Sequence, residues 1–299
     1  MAKCPHSFVL ARPGGHDRFE RVRFDHSIHV VTGITVPCGK CLICRQNRAR
    51  EWAQRLKHEL QFWHKYCFIT LTYDDDHIPI MEGDYTLWKT DLQNFWKRLR
   101  KYIGKQQKIK YLACGEYGDQ TSRPHYHAII FGWMPEDISR LSKDVSTSEN
   151  LENIWQMGNV SVGSVTEESI HYVTGYVLKK IPEAGRRNRT KEFIAVSQGM
   201  GIGYAEMYEE KIKRGVLLTD GKDKGIPMYY RRKILEKISK TDRMEMRLAL
   251  KKRAIVKDAL LETTLRSRGE DLNGQVDKAR LQSELELKAK LNRKVRSGL

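Results

Sequence analysis

The sequence predicts an α+β protein: a central antiparallel β-sheet with flanking helices, preceded by a cysteine-rich β-hairpin module and followed by a helical C-terminal tail. Three observations carry this expectation. Two strand-like runs, residues 109–116 and 123–132, are joined by the short polar turn Asp119-Gln120-Thr121-Ser122, the pattern of an antiparallel hairpin. Around that hairpin, stretches with helical spacing of apolar residues alternate with runs rich in β-branched and aromatic residues. Composition also changes twice, through clustered cysteines before residue 48 and charged helix formers after residue 232. The expected divisions are therefore 1–48 (cysteine-rich hairpins), 49–232 (the main domain) and 233–299 (a basic helical tail).

Residues 7–10, 19–24 and 28–36 alternate apolar and polar side chains between the breaks Pro13-Gly14-Gly15 and Thr32-Gly33, which predicts hairpins. Next come Cys38, Cys41 and Cys44 at intervals of three, with Cys4 upstream as a fourth and His6 as its substitute. Such spacing lets one loop wrap a soft metal, either zinc or an iron–sulfur cluster, or leaves a set of reduced thiols. Residues 45–65 read as a helix with Ala49, Trp52 or Ala53, Leu56, Leu60 and Trp63 inward. Arg45, Arg48, Arg55 and Lys57 fall mostly elsewhere, either solvated or following a phosphate backbone. Residues 67–73 form a buried strand that ends in the solvated turn Asp74-Asp75-Asp76. Residues 87–103 are amphipathic, with Gly104 suited to the C-terminal cap.

In the second strand of the hairpin, His125 and His127 flank Tyr126. Successive strand side chains point to opposite faces, so both imidazoles share one face while Tyr126 takes the other. Two such rings make adjacent corners of a divalent-metal site or a hydrogen-bonded pair. Glu116, across the hairpin, would complete a two-histidine, one-carboxylate set suited to Mg²⁺ or Mn²⁺ with positions left for phosphate oxygens. Cys67 and Cys114 read as small core residues.

The polar segment up to Asn150 is expected to hold a short helix and a loop, followed by helix over 151–157 and extended chain over 159–165. Thr166 is a good N-cap, with Glu167 and Glu168 in the first turn of a helix that runs through Lys180 to Pro182. Tyr172 and Tyr176 lie four apart and so share a helical face, followed by Lys179 and Lys180, which can hold a phosphate or stabilise a phenolate. A phenol attacks phosphorus usefully only where metal ions and cations stabilise the developing charge. Half-buried structural rings are the other use of such a pair. Residues 192–203 read as a strand and a glycine-rich turn that lacks the Lys-Ser or Lys-Thr of a phosphate-binding loop, so no ATPase or helicase activity is expected. Residues 216–218 and 227–230 flank an Asp220-Gly221 turn. The tail beyond Lys233 reads as solvated helices forming a DNA-holding or oligomerising arm.

The 54 basic and 37 acidic side chains leave a formal charge of +17, which points to a polyanionic partner, nucleic acid first. No apolar run is long enough to span a membrane, and residues 1–15 lack a signal-peptide core, so a cytosolic protein with reduced cysteines is expected.

Taken together, Phe68-Ile69-Thr70-Leu71-Thr72-Tyr73, Gly115-Glu116-Tyr117-Gly118, Arg123-Pro124-His125-Tyr126-His127 and Tyr172-Val173-Thr174-Gly175-Tyr176-Val177-Leu178-Lys179-Lys180 resemble, in order, the HUH endonucleases that initiate rolling-circle replication. The resemblance is closest to the replication initiators of gokushovirus-type microviruses, spans about residues 1–232, and extends to Pro37-Cys38-Gly39-Lys40-Cys41. Gly175 between the tyrosines, and the lack of a proline in Ser197-Gln198-Gly199-Met200-Gly201, depart from the pattern. The resemblance implies nicking and joining of single-stranded origin DNA through a 5′-phosphotyrosine, with Tyr172 and Tyr176 alternating as nucleophiles at one metal. It also implies a host helicase as partner and the bacterial cytoplasm as setting. A transposase or plasmid relaxase of the same chemistry, or a non-catalytic metal-stabilised nucleic-acid-binding protein, also suits the charge, cysteines and histidines.

Overall fold

The structure, a computed structural model, describes residues 4, 8–11, 20–22, 34–118, 120–142, 145–175 and 189–267. At the N-terminus β1 (Phe8–Ala11), β2 (Glu20–Val22) and β3 (Ile34–Val36) form an antiparallel sheet in the order β2-β1-β3. The chain then enters α1 (Leu42–Leu60), β4 (Tyr66–Thr72), the small hairpin β5 (Ile80–Met81) and β6 (Asp84–Tyr85), and α2 (Lys89–Ile103). After these come β7 (Lys110–Tyr117), β8 (Pro124–Phe131), β9 (Ser139–Arg140), β10 (Ser146–Thr147), α3 (Glu149–Trp155), β11 (Val160–Gly163), α4 (Glu167–Gly175) and β12 (Phe193–Val196). The last elements are α5 (Ile202–Met207), α6 (Glu209–Lys213), β13 (Leu218–Thr219), β14 (Lys222–Asp223), α7 (Met228–Lys237) and α8 (Lys240–Arg266).

The main sheet has seven strands in the order β12-β7-β8-β4-β11-β10-β9, every neighbouring pair antiparallel. Strand alternation gives it two apolar faces. Cys67, Ile69 and Leu71 of β4 join Tyr126, Ala128 and Ile130 of β8 on one face, under Phe95, Trp96 and Leu99 of α2 and Trp155 of α3. On the other face Leu112, Cys114, Ile129 and Phe131 pack against Ala53 and Leu56 of α1 and Ile170 and Val173 of α4. Burying an aromatic or aliphatic side chain in these layers contributes roughly 1.5–3 kcal/mol. The histidines extend the second face, so they open under α1 and α4 rather than to bulk solvent.

Several boundaries differ from expectation. Helix α1 runs Leu42–Leu60 instead of 45–65, because Cys41 caps its first turn and the chain must turn at Gln61 to enter β4. The division expected at residue 48 thus falls within a continuous helix. Arg55, expected on the outer face, is buried: its guanidinium lies 4.0 Å over the Trp52 ring and 4.0 Å over the Tyr229 ring, and Nε donates to the Met200 carbonyl. Between Trp133 and Asn150 the chain makes the two-residue strands β9 and β10 in place of a short helix.

The start of the expected solvated tail is also packed. Ile234 and Ile238 of the α7 end and Met246 of α8 join Tyr204, Ala205, Ile212, Leu217, Ile226 and Tyr230 in a third core. The Asp220-Gly221 turn joins β13 to β14 with both residues at positive φ (52° and 70°), the backbone of a two-residue hairpin turn. Among the described residues no helix is long and apolar enough to cross a membrane.

Candidate active site

Strand β8 lies between β7 and β4, and its register sets the site: Glu116 pairs with His125, while His127 faces Cys114 on one side and Thr70 on the other. From behind, Tyr126 clamps the strand. Its hydroxyl meets that of Tyr73 at 2.8 Å and donates to the Trp88 carbonyl, while Tyr73 donates to Asp91 Oδ2 at 2.7 Å. Burial drives both phenol pKa values well up, so these hydroxyls stay protonated and act as fixed hydrogen-bonding groups.

On the front face Glu116 is buried and its Oε1 lies 2.7 Å from His125 Nε2 and 2.7 Å from His127 Nε2. The far ring nitrogens are tied down. His125 Nδ1 is 3.1 Å from the Arg123 carbonyl, an acceptor only, so Nδ1 carries the proton and Nε2 presents a lone pair. Thr70 Oγ1 sits 2.9 Å from His127 Nδ1 and accommodates the same tautomer, while Phe68 stacks on the ring at 5.6 Å. Lone pairs of two ring nitrogens and a carboxylate oxygen converge within hydrogen-bonding distance, an arrangement that requires a proton or metal ion among them. The ligand atoms all lie within 4.8 Å of one another, and the donor set of two imidazoles and one carboxylate fits a divalent cation.

Helix α4 delivers Tyr172 to this trio. Its start is fixed by reciprocal bonds, Ser169 N–H to Thr166 Oγ1 and Thr166 N–H to Ser169 Oγ, and Ile170 and Val173 bury its inner side. The Tyr172 hydroxyl donates to Glu116 Oε1 at 2.8 Å and lies 3.3 Å from His127 Nε2, with its ring edge-on to His127. The ring is 46% exposed, so this hydroxyl touches both the buried carboxylate and the surface. Tyr176, Lys179 and Lys180 lie outside the described residues, as does His6. Thr70 and Phe68, missed as site residues in the sequence, come from β4, whose alternation places them on the histidine face.

Cys4, Cys38, Cys41 and Cys44 form a second cluster at the head of α1. Sulfur separations are 3.5 Å for Cys4–Cys38, 3.6 Å for Cys4–Cys41 and 4.0 Å for Cys38–Cys44. Burial raises the Cys41 thiol to about 11 and pushes that of Cys44 higher still. At Cys38 burial also acts upward, but amide hydrogen bonds from Cys41 and Lys40 outweigh it and bring the thiol to about 7. Cys67 and Cys114 are buried core thiols, as expected, and burial drives Cys67 up to about 12. The Asp74-Asp75-Asp76 run is a turn, with Asp74 accepting from the His77 amide and Asp75 paired with Arg123.

A family model described as replication-associated protein ORF2 matches residues 66–181, the span that contains the histidine hairpin and Tyr172. Over 210 residues the chain is 37% identical to replication-associated protein VP4 of Bdellovibrio phage phiMH2K, across 65% of each protein. It is 32% identical over 240 residues to replication-associated protein ORF4 of Chlamydia phage 1, across 74% of this chain and 59% of that one. With replication-associated protein ORF2 of Spiroplasma virus 4 it shares 30% identity over 228 residues, 71% of each. The chain thus spans 65% and 59% of the length of the first two of these relatives. No solved structure matches.

Proposed function

The chain belongs to the phage replication-associated proteins, and on that premise we propose that it initiates rolling-circle replication by nicking and rejoining single-stranded origin DNA through a 5′-phosphotyrosine. The observation that carries this reading is the Tyr172 hydroxyl held 2.8 Å from Glu116 Oε1, beside the paired histidines. A structural tyrosine would bury its ring, whereas this one directs an accessible hydroxyl into a buried polar trio. Mg²⁺ or Mn²⁺ bound by His125, His127 and Glu116 would supply Lewis-acid polarisation of the scissile phosphate.

The protein groups then have separate tasks. Arg123 O and Thr70 hold the two imidazoles in the tautomer that presents Nε2. Glu116 orients the phenol by accepting its hydrogen bond. Attack forms the Tyr172 O–P bond and breaks the P–O3′ bond. The proton given up by the phenol is balanced by the one the departing 3′-oxygen takes up. The free 3′-hydroxyl primes synthesis, and Tyr176, four residues on, serves as second nucleophile to cut the regenerated origin. Lys179 and Lys180 stabilise phosphate charge in that scheme. The setting is the bacterial host cytoplasm, where a host helicase opens the duplex.

The test is a covalent adduct on a denaturing gel after incubation with viral-strand origin DNA and Mn²⁺. An adduct is expected that disappears in His127→Ala and in the Tyr172→Phe/Tyr176→Phe double variant, while each single tyrosine variant retains some. An adduct that persists in the double variant, or none on any viral-strand fragment, overturns the assignment.

A further inference from the structure

We propose that Cys4, Cys38, Cys41 and Cys44 bind one tetrahedral Zn²⁺ that pins the N-terminal chain to the head of α1. Four thiolates around one zinc at about 2.3 Å stand about 3.8 Å apart along each tetrahedral edge. The sulfurs here stand 3.5, 3.6 and 4.0 Å apart. An iron–sulfur cluster interposes several irons and sulfides between its cysteines and would hold the four sulfurs much farther from one another. A disulfide would need a bond of about 2.05 Å, far shorter than any of these contacts.

The backbone around the sulfurs is built for thiolates. N–H groups aim at sulfur from Cys38 to Cys4 at 3.4 Å, from Lys40 to Cys38 at 3.4 Å, from Cys41 to Cys38 at 3.3 Å and from Cys44 to Cys41 at 3.4 Å. Gly39 makes this possible by taking a φ of 72°, which lets the chain fold back between Cys38 and Cys41. Cys41 is also the N-cap of the 19-residue helix α1, so the positive end of the helix dipole faces the cluster. A zinc bound by four thiolates keeps a net charge of −2, and this end of the helix complements it.

The ion would act structurally. It joins Cys4, ahead of β1, to the loop after β3 and to the first turn of α1, closing a ring around the three-stranded module. The same helix carries Ala53 and Leu56 under the catalytic face, and its Lys57 pairs with Glu167 of α4 at 2.7 Å. Zinc therefore anchors a helix on which the Tyr172 helix rests.

Native mass spectrometry and elemental analysis of the full chain, purified without added metal, test this. One zinc per chain is expected, retained in His127→Ala and lost in Cys38→Ser/Cys41→Ser. Replacement by Co²⁺ should give the intense sulfur-to-cobalt absorption of a tetrahedral thiolate site. Chelation of the wild-type chain should lower its melting temperature, a readout that does not depend on nicking. Iron with inorganic sulfide, a Cys–Cys disulfide in the protein as isolated, or zinc that follows His127 in place of the cysteines would each overturn the proposal. None of these outcomes bears on whether an adduct forms at Tyr172, so the two proposals fail separately.

Discussion

His58 is a titratable group held neutral inside the fold. It is fully buried, stacked at 3.7 Å on Tyr204, with Tyr230 Oη 3.0 Å from Nδ1 and Thr219 Oγ1 2.9 Å from Nε2. Burial lowers its pKa from 6.5 to about 4, with Asp220 pulling weakly the other way. Between those values the unfolded chain binds a proton that the folded chain refuses. Stability from this residue is therefore complete above pH 6.5 and declines as pH falls towards 4. The loss amounts to about 3 kcal/mol by linkage. Urea unfolding at neutral and mildly acidic pH should show a shallower acid loss in His58→Gln, which keeps a donor and an acceptor but cannot titrate. An identical acid slope in both proteins would exclude His58 as its source.

At the scale of elements, the turn into α5 is the most constrained. Gly201 has φ 75°, donates to Glu59 Oε2 at 2.6 Å, and a Cβ added there would run into the Tyr230 hydroxyl and the Arg55 carbonyl. Gly83 has a similar φ of 84° but open space around it. Gly201→Ala should therefore cost about 2 kcal/mol or more, against about 1 kcal/mol for Gly83→Ala. Equal drops in melting temperature would show that backbone conformation alone, without crowding, sets the cost. The same distinction between local and distant causes explains what the sequence disclosed. The β7–β8 hairpin is legible because its turn is short and its alternation unbroken, so Glu116 could be placed across from the histidines. Tyr172 meets Glu116 from 56 residues away and Thr70 meets His127 from 57, contacts that only the packing of α4 and β4 creates. Strands β9 and β10 have two residues each, too few for any alternation to register. Arg55 carries the charge of a surface residue, and only Met200, Trp52 and Tyr229 together make a buried place for it.

For the molecule as a whole, the division expected at residue 232 would cut through a core. Ile234, Ile238 and Met246 share one cluster with Tyr204 and Ile212, so a chain ending at Arg232 exposes that cluster. We expect a protein ending at Ser267 to unfold with the full chain's melting temperature, and one ending at Arg232 to lose several degrees or its cooperative transition. Equal melting of the two would place Ile234, Ile238 and Met246 outside the cooperative unit.

Helix α1 has a bearing on the order in which the chain matures. Its residues emerge early in translation, yet Arg55 waits 145 residues for Met200 and His58 waits 172 for Tyr230. The entropy of closing so long a loop grows only logarithmically, so the delay weighs on timing more than on final stability. Until Tyr230 has left the ribosome, the side of this helix that bears Arg55 and His58 remains open to other sticky segments. The nascent chain is thus most vulnerable at its first long helix, and the last residues of the third core are the ones that relieve it.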